Sequence, residues 1–112
     1  SHPSEAWLAP RMRVRFSDDA EVAYAEALAR IYHANRFAAQ HFAARVNTSL
    51  RRIRSFPKSG HFVPEYPTLP IRQFIVEPYR FFYQIDDRHR QIIILDVWHG
   101  AQLPAQPDLP AP

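Results

Sequence analysis

The side chains with chemistry to offer are six histidines (His2, His33, His41, His61, His89 and His99) and a surplus of arginines. The histidines fall at no metal-ligand spacing, and the chain has no His-Glu-x-x-His, no glycine-rich phosphate loop and no Gly-x-Ser-x-Gly. Gly60 and Gly100 are its only glycines, which excludes a nucleotide cradle. Without cysteine there is no thiolate, disulfide or zinc–thiolate chemistry, and no cofactor is expected. What remains is cationic. The net charge is +3 and the sequence pI about 9.7, and Lys58 is the sole lysine among 14 basic residues. Such an excess suits an acidic partner, although a general preference for arginine over lysine explains it equally well.

Three positions stand out. Arg80 sits in Tyr79-Arg80-Phe81-Phe82-Tyr83 and reads either as a contact to a partner or as an ion pair with Asp96 or Glu77. The choice turns on the hairpin register at 86–89, where a one-residue slip reverses the faces. His99, in Val97-Trp98-His99-Gly100, reads first as a satisfied or exposed histidine at a strand end. Arg72 reads as a surface or partner-facing residue. A further basic stretch, Arg45, Arg51, Arg52, Arg54 and Lys58, carries no interleaved aromatic residues. It fits a solvated helix face as well as an acidic partner, and it is no stacking platform for single strands.

The elements that must position these residues centre on 71–99, where three runs rich in Ile, Val, Phe and Tyr are separated by short breaks at 78–79 and 87–89. This predicts an antiparallel meander. Met12–Phe16 alternates apolar and basic residues like an edge strand, with Val14 and Phe16 inward and Arg13 and Arg15 outward. Ser17 is placed to cap a helix whose first turn carries Asp18, Asp19 and Glu21. Ala20, Tyr24, Ala27, Leu28 and Ile31 form its apolar face. Asn35 can cap a second helix, from about Arg36 to Ser55, with Phe42, Val46, Leu50 and Ile53 as its stripe and Pro57 as its stop. The short connection implies an antiparallel helical hairpin. Residues 57–70 hold four prolines and read as irregular, pinned by Phe62, Val63, Tyr66 and Leu69. The expected fold is a two-layer α+β domain ordered β-α-α-β-β-β.

The domain is expected at 12–102, after an extension or cloning remnant at 1–11 and before a proline-rich tail at 103–112. No apolar run approaches the roughly 20 residues of a membrane span. The N-terminus lacks a signal-peptide core, so a cytoplasmic protein is expected. Within the sheet, Phe81, Tyr83 and Ile85 alternate with Arg80, Phe82 and Gln84, so both faces carry large apolar groups. One face is core. The other is expected to be an open apolar, positively charged strip awaiting a partner.

In the order strand, helix, helix, then Arg72-Gln73-Phe74-Ile75-Val76-Glu77-Pro78-Tyr79-Arg80-Phe81-Phe82-Tyr83, closing on Leu95-Asp96-Val97-Trp98-His99-Gly100, the chain resembles the RelE/ParE superfamily of toxins from type II toxin–antitoxin systems. The resemblance spans about Met12 to Gln102. It implies a toxin wrapped by a cognate antitoxin in a hetero-oligomer, with Arg72, Phe74, Arg80, Phe82 and Trp98 as the partner-binding set. RelE-like members cut mRNA on the ribosome, whereas ParE-like members poison DNA gyrase. The long helical hairpin resembles the ParE branch and implies a gyrase inhibitor that acts by binding. The alternative is a ribosome-dependent mRNA endonuclease. RNA cleavage needs a base, an acid and cations for the phosphate, and Arg80 and His99 match positions that such enzymes use. Ile71, Gln73 and Ile75 stand where RelE proper is basic, and no Arg, Lys or Tyr follows His99 closely, so a full nuclease set is not visible.

Overall fold

The computed structural model describes residues 12–100, so the expected extension and proline-rich tail lie outside the described residues. Strand β1 (Arg13–Phe16) leads into helices α1 (Asp18–Ala34) and α2 (Arg36–Ser55). A 3-10 turn (Pro57–Ser59) follows, then strands β2 (His61–Phe62), β3 (Arg72–Val76), β4 (Tyr79–Asp86) and β5 (Gln91–His99). The five strands form one sheet in the order β1-β5-β4-β3-β2. This is the expected α+β arrangement. The stretch 57–70 is not wholly irregular, because it contributes the 3-10 turn and the two-residue β2, which pairs antiparallel with β3.

Local chemistry sets the helix ends. Ser17 Oγ accepts from the Ala20 amide at 3.1 Å and donates to the Leu95 carbonyl at 2.9 Å, so one hydroxyl caps α1 and ties it to β5. Asn35 serves two helices. Its amide closes α1 on the Ile31 carbonyl, and its side chain accepts from the Phe37 and Ala38 amides at the start of α2. A single residue therefore makes the hairpin turn.

Between β3 and β4 the turn carries a cis Glu77–Pro78 bond. Between β4 and β5, Asp86 accepts from the His89 amide, while Arg90 takes a left-handed φ of 52°. The register there pairs Asp86 with Gln91, Phe82 with Asp96, Arg80 with Trp98 and Tyr79 with His99. An irregularity between Phe82 and Tyr83 leaves Leu95 as an extra residue in β5.

The helices cover one face of the sheet. There Phe42, Val46 and Ile53 of α2 meet Phe74, Val76, Tyr79, Phe81, Tyr83, Ile92, Ile94 and Val97, with Tyr24 and Leu28 of α1 beside them. Aromatic rings run through this core. Phe74 stacks on Phe81 at 4.8 Å and 11°, and Tyr24 and Phe42 meet Phe81 at 5.8 and 6.3 Å.

The other face of the sheet is not an open strip. Ile71, Phe82, Ile93 and Leu95 form a second buried cluster with Val63, and Tyr66, Leu69 and Trp98 pack against it. The proline-rich segment lies across this face as a strap. The expectation of an uncovered apolar front is therefore corrected: Val63, Tyr66 and Leu69, three of the residues expected to pin the loop, fill it.

Candidate functional site

The period-two alternation of β4 and β5 decides which candidate residues can act together. Tyr79, Phe81 and Tyr83 point to the helices, so Arg80 and Phe82 point to the strap. His99 pairs with Tyr79 and packs edge-on to its ring at 5.4 Å, on the helix side. Arg80 pairs with Trp98 on the strap side. The two residues considered for nuclease chemistry thus lie on opposite faces of the sheet and do not converge on one phosphate.

Arg80 is also committed. Its Nη1 and Nη2 donate to the two carboxylate oxygens of Glu65 at 3.0 and 2.8 Å, and its Nε donates to Gln73 Oε1 at 2.8 Å. Its guanidinium lies 5.1 Å from the centre of the Phe82 ring. The bidentate geometry is the strong form of a guanidinium–carboxylate pair. These bonds hold Glu65 below its ordinary value of 4.5, with hydrogen bonding from Arg80 as the main cause. The partner is neither Asp96 nor Glu77, the two carboxylates that the sequence suggested. Glu65 lies on the strap, 15 residues upstream, and its position between Val63 and Tyr66 is the only sequence signal for its role.

The residues considered for partner binding do not form one surface. Phe74 lies in the helix-side core and Phe82 is fully buried beneath the strap. Arg72 donates to the Gly60 and Lys58 carbonyls at 2.8 and 3.3 Å and stands 4.2 Å over the Phe62 ring, so it anchors the root of the strap. Trp98 is half-buried beside the second cluster. Tyr83 and Gly60, which the sequence did not single out, lock the same root. Tyr83 Oη accepts from the Gly60 amide at 2.9 Å and donates to the Pro57 carbonyl at 2.7 Å.

A cleft of about 620 Å³ opens beside His99, between α1 and the end of β5. Glu26, Arg30 and Asp96 also line it. Arg30 Nε donates to the Tyr79 hydroxyl at 3.2 Å. Asp96 is half-buried, which pushes its carboxyl above the ordinary 3.8. The Val97 amide and Trp98 oppose that rise, and Asp19 adds to it. With two carboxylates beside one guanidinium, the cleft suits a mixed-charge protein surface better than a polyanion. Among the described residues no group of His, Asp and Glu could hold a metal ion, and no helix is long and apolar enough to cross a membrane.

The model of the ParE toxin of type II toxin–antitoxin systems, parDE, matches residues 14–104. This chain belongs to that family. The match spans the strand, the helical hairpin and the meander that build both faces just described. Among solved structures, the ParE-family fold seen here is similar to the toxin–antitoxin complex RelBE2 from Mycobacterium tuberculosis. The TM-score is 0.54 and the identity 23%, over 80% of this chain and 99% of that one, a likeness of fold. No curated protein matches the sequence significantly. The toxin assignment stands on the family match. The open apolar front that the sequence suggested as its physical ground is absent.

Proposed function

We propose that this ParE-family toxin acts by binding rather than by cleavage, that its target is DNA gyrase, and that a cognate antitoxin neutralises it. The observation carrying this reading is the fate of Arg80. The arginine a nuclease would turn on the phosphate is about nine-tenths buried, bonded to Glu65 and Gln73, and on the sheet face opposite His99. Freeing it would break a bidentate, charge-assisted pair, and even then His99 would lie across the sheet.

Family membership supports gyrase as the target, and the RelBE2 complex, solved as toxin with antitoxin, supports a protein partner for this chain. Supercoiling of relaxed plasmid by purified gyrase tests the proposal. Excess free toxin should suppress it, and unchanged supercoiling would count decisively against a gyrase poison.

A further inference from the structure

We propose that the outward face of α2 binds the phosphate backbone of duplex DNA, along a row formed by Arg45 and Arg52 and extended by Arg51 and Lys58. The sequence segregates its charge. No Asp or Glu falls between Glu26 and Glu65, an interval that holds seven of the 14 basic residues. All 11 acids lie outside it, with the other seven basic residues. α2 itself carries five arginines and no acid.

The helical repeat sets these charges in line. His41, Arg45, Thr48 and Arg52 follow at intervals of four, three and four residues, which is one helical face, and all four are exposed. Arg45 and Arg52 border a hollow of about 250 Å³ between α2 and β3, with Thr48, Ser49, Ile75 and Val76. Arg51 Nη2 donates to Thr48 Oγ1 at 3.2 Å, which holds a third guanidinium beside the row. Lys58, exposed in the 3-10 turn, continues it past the end of the helix.

These cations have no carboxylate partner. The ion pairs among the described residues are Arg80 with Glu65 and His89 with Asp86, and neither involves α2 or Lys58. Arg45 Nη1 reaches only the Glu77 carbonyl, at 3.5 Å. The helix dipole accounts for Arg52 and Arg54 in the last turn. It does not account for Arg45, which lies well before that turn.

The character of the face selects a duplex. A protein interface centres on large apolar or aromatic anchors, and between Phe37 and Phe56 the outer face of α2 exposes none. A single strand needs aromatic platforms among its cations, and the same stretch offers none. A duplex backbone needs only cations spaced along a rigid support. From Arg45 to Lys58 that support is roughly 20 Å long, or about six base-pair steps. That the duplex is DNA rests on the gyrase reading above, because gyrase holds one, whereas the phosphate-binding face rests on its charge alone.

Fluorescence anisotropy of a labelled 20-base-pair DNA duplex, titrated with the full chain between about 50 and 200 mM salt, tests the proposal. Four phosphate contacts predict a slope of log affinity against log salt of about −3.6, roughly a hundredfold loss across that range. Arg45→Gln and Arg52→Gln should each make the slope shallower by about one and weaken binding roughly threefold to tenfold. Arg88→Gln, next to Asp87 in the β4–β5 turn, should change neither. All three side chains are exposed, and unchanged urea midpoints would show the fold intact.

Absent or salt-independent binding overturns the proposal, and so does a slope that both α2 variants leave unchanged. A single strand or a polyglutamate peptide of equal charge that binds as tightly also overturns it, and an RNA duplex that binds tighter overturns the choice of DNA. Duplex binding with supercoiling untouched overturns only the gyrase reading. Suppressed supercoiling without duplex binding overturns only this face.

Discussion

Glu65→Ala and Arg80→Met remove opposite ends of one ion pair, and the structure predicts unequal costs. The Arg80 side chain is 10% exposed and that of Glu65 32%. In Glu65→Ala the guanidinium stays sealed beneath the strap, with Nη1 and Nη2 deprived of acceptors and only Nε still bonded to Gln73. Orphaning a buried charge costs about 3–5 kcal/mol and breaking an exposed pair less than about 1. A pair with one sealed and one partly wetted end falls between, at about 2–3 kcal/mol.

In Arg80→Met no buried charge is left, Glu65 can turn to water, and the thioether fills most of the vacated space. The cost should be nearer 1 kcal/mol, chiefly from the stranded Gln73 oxygen. Urea unfolding of both variants measures the difference, and for Glu65→Ala the midpoint temperature should fall by about 10–20 °C. Equal costs, or a Glu65→Ala cost within about 0.5 kcal/mol of zero, would show that apolar contacts alone hold the strap.

The pair also has a pH signature. Glu65 holds its proton less tightly in the folded chain than in the unfolded one. Its contribution is therefore complete above its ordinary value of 4.5 and is lost as pH falls through the depressed folded value. Glu65→Gln should flatten that part of the acid-unfolding profile.

Three further outcomes follow from the same geometry. Gly60→Ala would drive a methyl group into the Tyr83 hydroxyl and to within 2.7 Å of the Gln73 carbonyl oxygen, and should cost about 2–3 kcal/mol in urea unfolding; a neutral result would mean that the strap root yields freely. Tyr83→Phe strands the buried Gly60 amide and frees the Pro57 carbonyl, for about 1–3 kcal/mol, and an unchanged thermal midpoint would contradict it. Asp96→Asn relieves a half-buried carboxylate whose pKa is raised by desolvation. It should modestly raise stability at neutral pH, with the gain vanishing below pH 3.8 where Asp96 is protonated in both states; a loss at neutral pH would show that the charge is paired.

The helical hairpin could be read from sequence because its signals are local. Ser17 and Asn35 bond to amides two or three residues away, and the apolar stripe of α2 needs only its own spacing. The alternation of Phe81 and Tyr83 against Arg80 and Phe82 was legible for the same reason. What covers the second face was not. Val63, Tyr66 and Leu69 were visible as apolar, but their seating on Phe82, Ile93 and Leu95 is a tertiary match with no sequence period. The sequence offered Arg80 two acidic candidates, Glu77 in the turn before its own strand and Asp96 on the paired strand, yet the strap carries Glu65 back over β4 and takes the pair. The separation of Arg80 from His99 likewise needed the register on both sides of the Leu95 irregularity.

The most direct measurement of the central claim is gyrase supercoiling titrated with the toxin and with its His99→Ala variant side by side. Binding without cleavage predicts that both suppress supercoiling at similar concentrations. Supercoiling left intact by both, together with ribosome-programmed mRNA cut by the unmodified chain and spared by His99→Ala, would contradict it.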